Sequence, residues 1–246
     1  MALTARTTLH ITAISQDKGQ GTEPALGPTR RRGDVSRLEG FSDAVFGFAI
    51  TLLVVSLAVP PTFDALLTSL AGIPAFAASF GLLAYIWYAQ YTYFRRYDFE
   101  DASVVVLNLV LLFVVLVYIY PLKFLYVAVF NPSLATLRPG QAPLLFAVYG
   151  VGFAAVFTLL TLLYLHAYRS RAPLGLSGLQ VYEARAAVIL YASIAGIGVL
   201  SALLALALPD PGSIAGFVYF LIAVPSVVTG TLVGRRRRLE ARAPRT

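Results

Sequence analysis

Long apolar runs constrain this chain more than anything else in its sequence. From Ala102 to Val127 the only ionisable basic or acidic residue is Lys123, and a helix that apolar on every side needs lipid or a large protein core around it. A hydrocarbon layer about 30 Å thick is crossed by roughly 20 helical residues at 1.5 Å rise each. Runs of about that length, bounded by charge or by Pro and Gly, lie near 44–59, 66–94, 102–127, 143–168, 183–208 and 214–233. The sequence therefore predicts an all-α, polytopic membrane protein with six transmembrane helices per subunit. Pro60 and Pro61 stop the first helix, Pro74 starts or kinks the second, and Pro121 and Pro225 imply kinks in the third and sixth.

Composition supports lipid as the solvent. Hydrophobic residues make up 58% and charged residues 13%, against about a quarter charged in soluble domains. With no cysteine and two histidines, disulfides and thiol chemistry are excluded and little remains for metal binding or proton transfer. No nucleophile, base and acid group at one depth, and His166 has no evident partner in the sequence. The expectation is no enzyme, no catalytic residue, no metal and no cofactor.

The net charge of +7 reads as a topology signal rather than a nucleic-acid surface, because the arginines flank apolar spans without interleaved aromatics. Placing both termini in the cytoplasm puts Arg95, Arg96, Arg169, Arg171, Arg185 and Arg235 to Arg238 on that side. Of the 19 basic residues only Lys123 and Arg138 then face outward, as the positive-inside rule requires. An integral protein of a prokaryotic plasma membrane is expected. Residues 1–35 read as a disordered cytoplasmic tail without a signal peptide, 36–234 as the membrane domain and 235–246 as a basic cytoplasmic tail. Trp87, Tyr88, Tyr91, Tyr93 and Phe94, and on the other side Tyr118, Tyr120 and Tyr126, are expected at the membrane boundaries. Gly150, Gly152, Gly196, Gly198 and Ser201 would permit close helix contacts.

Charge at the edge of a span marks structure or function. Arg37, Phe41, Ser42 and Asp43 open the first helix. Arg37 and Asp43 do not share a face at 100° per residue, so their partners are expected on other helices or another subunit. The cluster reads either as a hydrogen-bonded network that positions the helix or as a device that attracts cations. Further on, Phe48, Leu52 and Val55 recur at spacings of four and three, with Thr51 beside them. That stripe is ordinary packing, or, if several such helices surround an axis, a hydrophobic constriction.

The run Arg-x-x-x-Phe-Ser-Asp at Arg37 to Asp43, heading a first transmembrane helix, resembles the hallmark of the transmembrane protein 175 family of potassium channels in its single-repeat prokaryotic form. Trp87 in the second helix and Asn108, Leu109 and Pro121 in the third are weaker echoes. The resemblance implies a homotetramer whose first helices line a central, potassium-permeable pore lacking a Thr-Val-Gly-Tyr-Gly filter, which this sequence indeed lacks. It implies a constriction at Phe48, Leu52 and Val55, a selectivity threonine at Thr51, and a network at the cytoplasmic pore end from Arg37, Phe41, Ser42, Asp43, Trp87 and Asn108. Phe48 departs from the Ile or Leu common there, and Gln90 stands where the family often has His. Expected partners are copies of the chain, membrane lipids and potassium ions, with no nucleic acid. The rival reading is a secondary transporter coupled to protons or sodium, a class that tends to carry midplane carboxylates and repeated halves, which the sequence does not show. A lipid-binding role for Arg235 to Arg238 is the third reading.

Overall fold

Among the described residues the apolar runs are almost wholly helical. The computed structural model describes residues 37–55, 61–97, 101–130, 137–138, 140–172, 175–208 and 214–242. Its elements are α1 (Arg37–Val55), α2 (Phe63–Leu70), α3 (Ile73–Arg96), α4 (Ala102–Phe130), α5 (Gln141–Arg169), α6 (Gly178–Ala207), α7 (Ile214–Phe217), a 3-10 turn (Val218–Ile222) and α8 (Ala223–Arg242). The tail expected over 1–35 lies outside the described residues.

Local chemistry sets the boundaries. Ser177 accepts from the Gln180 backbone N–H while the Gln180 side chain accepts from the Ser177 N–H, a reciprocal cap that starts α6. Asp101 accepts from the Val104 N–H at 2.9 Å and so caps α4. Gly140, at φ +85°, turns the chain into α5 where a side chain would be strained. The second apolar run is not one helix: it divides at Ala71 and Gly72, and α3 restarts with Pro74 in its first turn, where a missing N–H is harmless. The last run divides too, passing through the 3-10 turn before Pro225 enters the first turn of α8. Pro121 stays inside a continuous α4.

α5 and α6 form the most extensive helix pair, α4 packs on α5, α1 on α3 and α4, and α8 on α6. The close approach of α5 and α6 depends on Gly150 and Gly198, whose backbones face each other. Ser201 donates to the Ala215 carbonyl at 2.9 Å, seating α7 against α6. Gly152 lies under the Tyr118 ring, whereas Gly196 faces open space.

The aromatics expected at the boundaries differ in burial. Tyr88 and Tyr120 are exposed as boundary residues should be, but Tyr93 and Tyr118 are buried in the core. Tyr164 joins the buried rings and donates to the Ala89 carbonyl at 2.8 Å.

Among the described residues, α4, α5, α6 and the helical stretch Ile214–Arg242 are long and apolar enough to cross a membrane. α1 carries Arg37, Glu39 and Asp43 near its start, and α3 is diluted by Trp, Tyr, Gln and a terminal arginine pair. Ion pairs gather helix ends: Arg96 and Arg237 both reach Glu183, joining the end of α3, the far end of α8 and the start of α6. His166 meets Asp101 at 3.1 Å, joining the end of α5 to the start of α4. Arg235 to Arg238 lie within α8.

Candidate functional site

The two faces of α1 are used differently. Glu39, Ser42, Phe46, Ala49 and Leu53 fall on one stripe and are buried against the subunit. On the opposite stripe Phe41, Ala44, Gly47, Phe48 and Thr51 are all exposed, Phe48 by 58% and Phe41 by 51%. Leu52 is half-buried at the edge of this stripe. Val55 ends the helix, and its side chain lies outside the described residues.

Thr51 interrupts the apolar stripe with a hydroxyl that donates to the Gly47 carbonyl at 2.9 Å. With its proton engaged one turn back along the helix, the oxygen keeps its lone pairs free to accept or to meet a cation.

The buried stripe is pinned by a chain of hydrogen bonds across three helices. The Trp87 indole N–H of α3 donates to Asp43 Oδ1 at 2.7 Å. Ser42 Oγ donates to the Leu38 carbonyl at 2.8 Å and accepts from Asn108 Nδ2 of α4 at 2.9 Å. Asn108 Oδ1 in turn accepts from Gln90 Nε2 of α3. Ser42, Gln90 and Asn108 are at most 1% exposed, so each bond is made where water offers no substitute. Of the residues expected at this end, Ser42, Asp43, Trp87 and Asn108 come together. Arg37 and Phe41 are exposed on the other side of α1 and join none of these bonds.

Gln90 is the member that sequence reasoning left out of the network. Its signal was there: it follows Trp87 by three residues and so shares that face of α3. Asn108 was legible as the lone amide of α4, set in an apolar stretch between Val104 and Val117. His166, which lacked a partner in the sequence, has Asp101.

The arrangement fixes the rotation of α1 about its own axis and leaves exposed, among the described residues, a mostly apolar stripe with Arg37 at its start and the Thr51 hydroxyl further along.

The family model described as the endosomal/lysosomal potassium channel TMEM175 matches residues 37–121, which include α1, the network and the first two-thirds of α4. A potassium channel of Marivirga tractuosa is 35% identical over 222 residues, covering 82% of this chain and 89% of the relative. The fold is similar to the crystal structure of a threonine-to-alanine variant of the potassium channel MtTMEM175, solved with a nanobody fusion. The TM-score is 0.71 and the identity 32%, over 85% of this chain and 99% of that one. A lysosomal potassium-selective channel TMEM175 homolog from Chamaesiphon minutus shares the fold at TM-score 0.57 and 24% identity, over 78% of this chain and 96% of that one.

Proposed function

Because the chain belongs to the TMEM175 family of potassium channels, we propose that it passes potassium through a central pore lined by α1 from each subunit of a homotetramer. Six spans per subunit, α1, α3, α4, α5, α6 and the α7 to α8 stretch, put both termini on the cytoplasmic side. The observation that carries the reading is the exposed stripe of Phe41, Ala44, Phe48 and Thr51 on a helix whose opposite face is locked by the buried network. A helix held so firmly from behind presents the same side chains to the axis in every copy.

Phe48 and Leu52, with Val55 one turn on, form the constriction. Rings of bulky apolar groups bar ions by excluding water unless the helices move apart. Thr51 supplies the polar contact at that level. Potassium sheds hydration more readily than sodium, so an apolar ring with one hydroxyl layer favours it moderately. Asp43, exposed at the cytoplasmic end and oriented by Trp87, raises the local cation concentration. Every described Asp or Glu lies within about two turns of a helix end, which supports a passive pathway over a coupled transporter with a midplane carboxylate.

Potassium and sodium flux from liposomes under imposed gradients tests the reading. Phe48→Ala should raise potassium flux severalfold by widening the constriction, and unchanged flux would move the constriction elsewhere. Thr51→Ala removes only a hydroxyl and a methyl. It should lower the potassium-to-sodium permeability ratio while leaving the fold intact, and a wild-type ratio would refute the assignment of Thr51. Cross-linking of purified protein that stops at dimers would refute the tetramer.

A further inference from the structure

Away from α1, a crevice of about 380 Å³ opens between α3, α6 and α8. Its rim is charged. Arg96 Nη1 lies 3.0 Å from Glu183 Oε2, and Arg237 Nε bonds Glu183 Oε1. The carboxylate is 8% exposed, but the two arginines keep 33% and 48% of their side chains accessible. Two guanidiniums thus face one carboxylate, which engages one nitrogen from each, whereas a guanidinium carries five N–H donors in a planar fork. The mouth is left with a net positive charge and with donors arranged as a phosphate needs them.

Deeper in, the lining turns apolar. Along α3 the sequence from the rim inward is Arg96, Thr92, Tyr88, one turn apart, and Leu190 and Tyr191 of α6 stand opposite. Gly230 and Gly234 of α8 keep the gap open: a Cβ on Gly230 would meet nothing within 4 Å. No residue of α8 is buried, so this wall of the crevice stands at the rim of the subunit. A slot with a cationic mouth and an apolar throat matches a molecule with an anionic head and a hydrocarbon tail.

We propose that this crevice binds an anionic phospholipid of the cytoplasmic leaflet, its phosphate on Arg96 and Arg237 and an acyl chain against Leu190 and Tyr191. The inference rests on the membrane orientation proposed above, which puts this end of the bundle at the cytoplasmic face. Glu183 then has a second role: besides tying three helices together, it tempers the charge of the two arginines and so sets how tightly the phosphate is held.

The test is lipid retention by the purified full chain, read by native mass spectrometry after exchange into phosphatidylcholine micelles doped with phosphatidylglycerol. Arg237→Gln should lower retention of phosphatidylglycerol about fivefold, the worth of one basic side chain at an anionic surface. Glu183→Gln should raise it by a similar factor. Both variants break the same ion pair and both should lower thermal stability, so opposite signs in lipid retention separate a binding role from a structural one. Gly230→Leu fills the throat without touching a charge and should lower retention too. Retention that falls in Glu183→Gln as it does in Arg237→Gln, or that stays at the wild-type level in all three, overturns the lipid site. Potassium flux from vesicles of phosphatidylcholine alone reads the channel separately: wild-type protein that retains phosphatidylglycerol as expected but conducts in no vesicle refutes the pore and not the crevice.

Discussion

Gly198→Val is expected to abolish the folded subunit, seen as loss of the monodisperse peak when detergent-solubilised protein is run on a sizing column. A Cβ at Gly198 would stand 3.0 Å from the Ala154 amide nitrogen, from the Gly150 carbonyl oxygen and from Phe153 Cδ1. Two of those atoms are backbone and cannot rotate aside. The reciprocal position is tighter still, since a Cβ at Gly150 would stand 2.7 Å from the Gly198 carbonyl oxygen. Valine adds two more methyl groups, so α5 and α6 must separate.

Overpacking a closed interior costs about 1–3 kcal/mol where side chains can yield, and more where two backbones must part. In lipid no hydrophobic gain holds helices together, and packing carries most of the association. The loss falls on the pair around which α4, α7 and α8 are arranged. Gly196→Val is the matched control on the same helix: its Cβ meets nothing within 4 Å, and the variant should elute and melt as the wild type does. Equal behaviour of the two variants would mean that α5 and α6 do not touch at Gly150 and Gly198.

That contact was partly legible in the sequence, and how it was legible shows where such reading stops. Apolar length and Pro/Gly punctuation place the helices, and small residues at 150 and 198 suggest close approach. Gly196 looks the same on paper yet faces open space, because one-dimensional spacing does not say which face of a helix meets a neighbour. The same ambiguity applies to Tyr93 and Tyr118, which are buried among helices: on helices apolar all round, the sequence does not say whether an aromatic near an end faces lipid or a neighbouring helix. The breaks at Ala71–Gly72 and at the 3-10 turn fall just before Pro74 and Pro225, so proline marked their neighbourhood, while hydropathy alone gave neither break.

The candidate site follows the same division. Asp43 and Trp87 are 44 residues apart, Ser42 and Asn108 66, and Glu183 and Arg237 54. Each residue was conspicuous alone, as a polar group at the edge of or inside an apolar span, and such a group must find a partner. Which partner it finds depends on the register between helices, and the sequence carries no direct mark of that. Arg37 and Asp43 leave α1 in different directions, as their spacing at 100° per residue predicts, and Asp43 finds its partner on another helix, in Trp87 of α3.

Asn108→Ala should have the largest effect of any single change in the network. Asn108 is fully buried and serves two helices at once, donating to Ser42 and accepting from Gln90. Truncation leaves the Gln90 amide without that acceptor in a place water does not reach, at about 1–3 kcal/mol for a stranded buried polar group. Ser42 loses less, because its hydroxyl still donates to the Leu38 carbonyl. The methyl-sized remnant also leaves a void between α1, α3 and α4, so the total should approach 3–5 kcal/mol, read as a fall in melting temperature of the solubilised channel.

Stability and function should then part in the double variant Gln90→Leu/Asn108→Leu. Replacing both partners of a buried hydrogen bond by apolar groups of similar shape is close to neutral, so much of the melting temperature should return. The bond from α4 to Ser42 does not return, and the exposed Trp87 to Asp43 bond is left as the one network bond that holds α1 in its rotation. If that rotation is what presents Phe48 and Thr51 to the pore, the double variant should be nearly as stable as wild type and yet conduct potassium poorly or with reduced preference over sodium. Wild-type flux and selectivity in a stable double variant would show that packing alone orients α1, and that the amide network contributes to the fold without setting the pore.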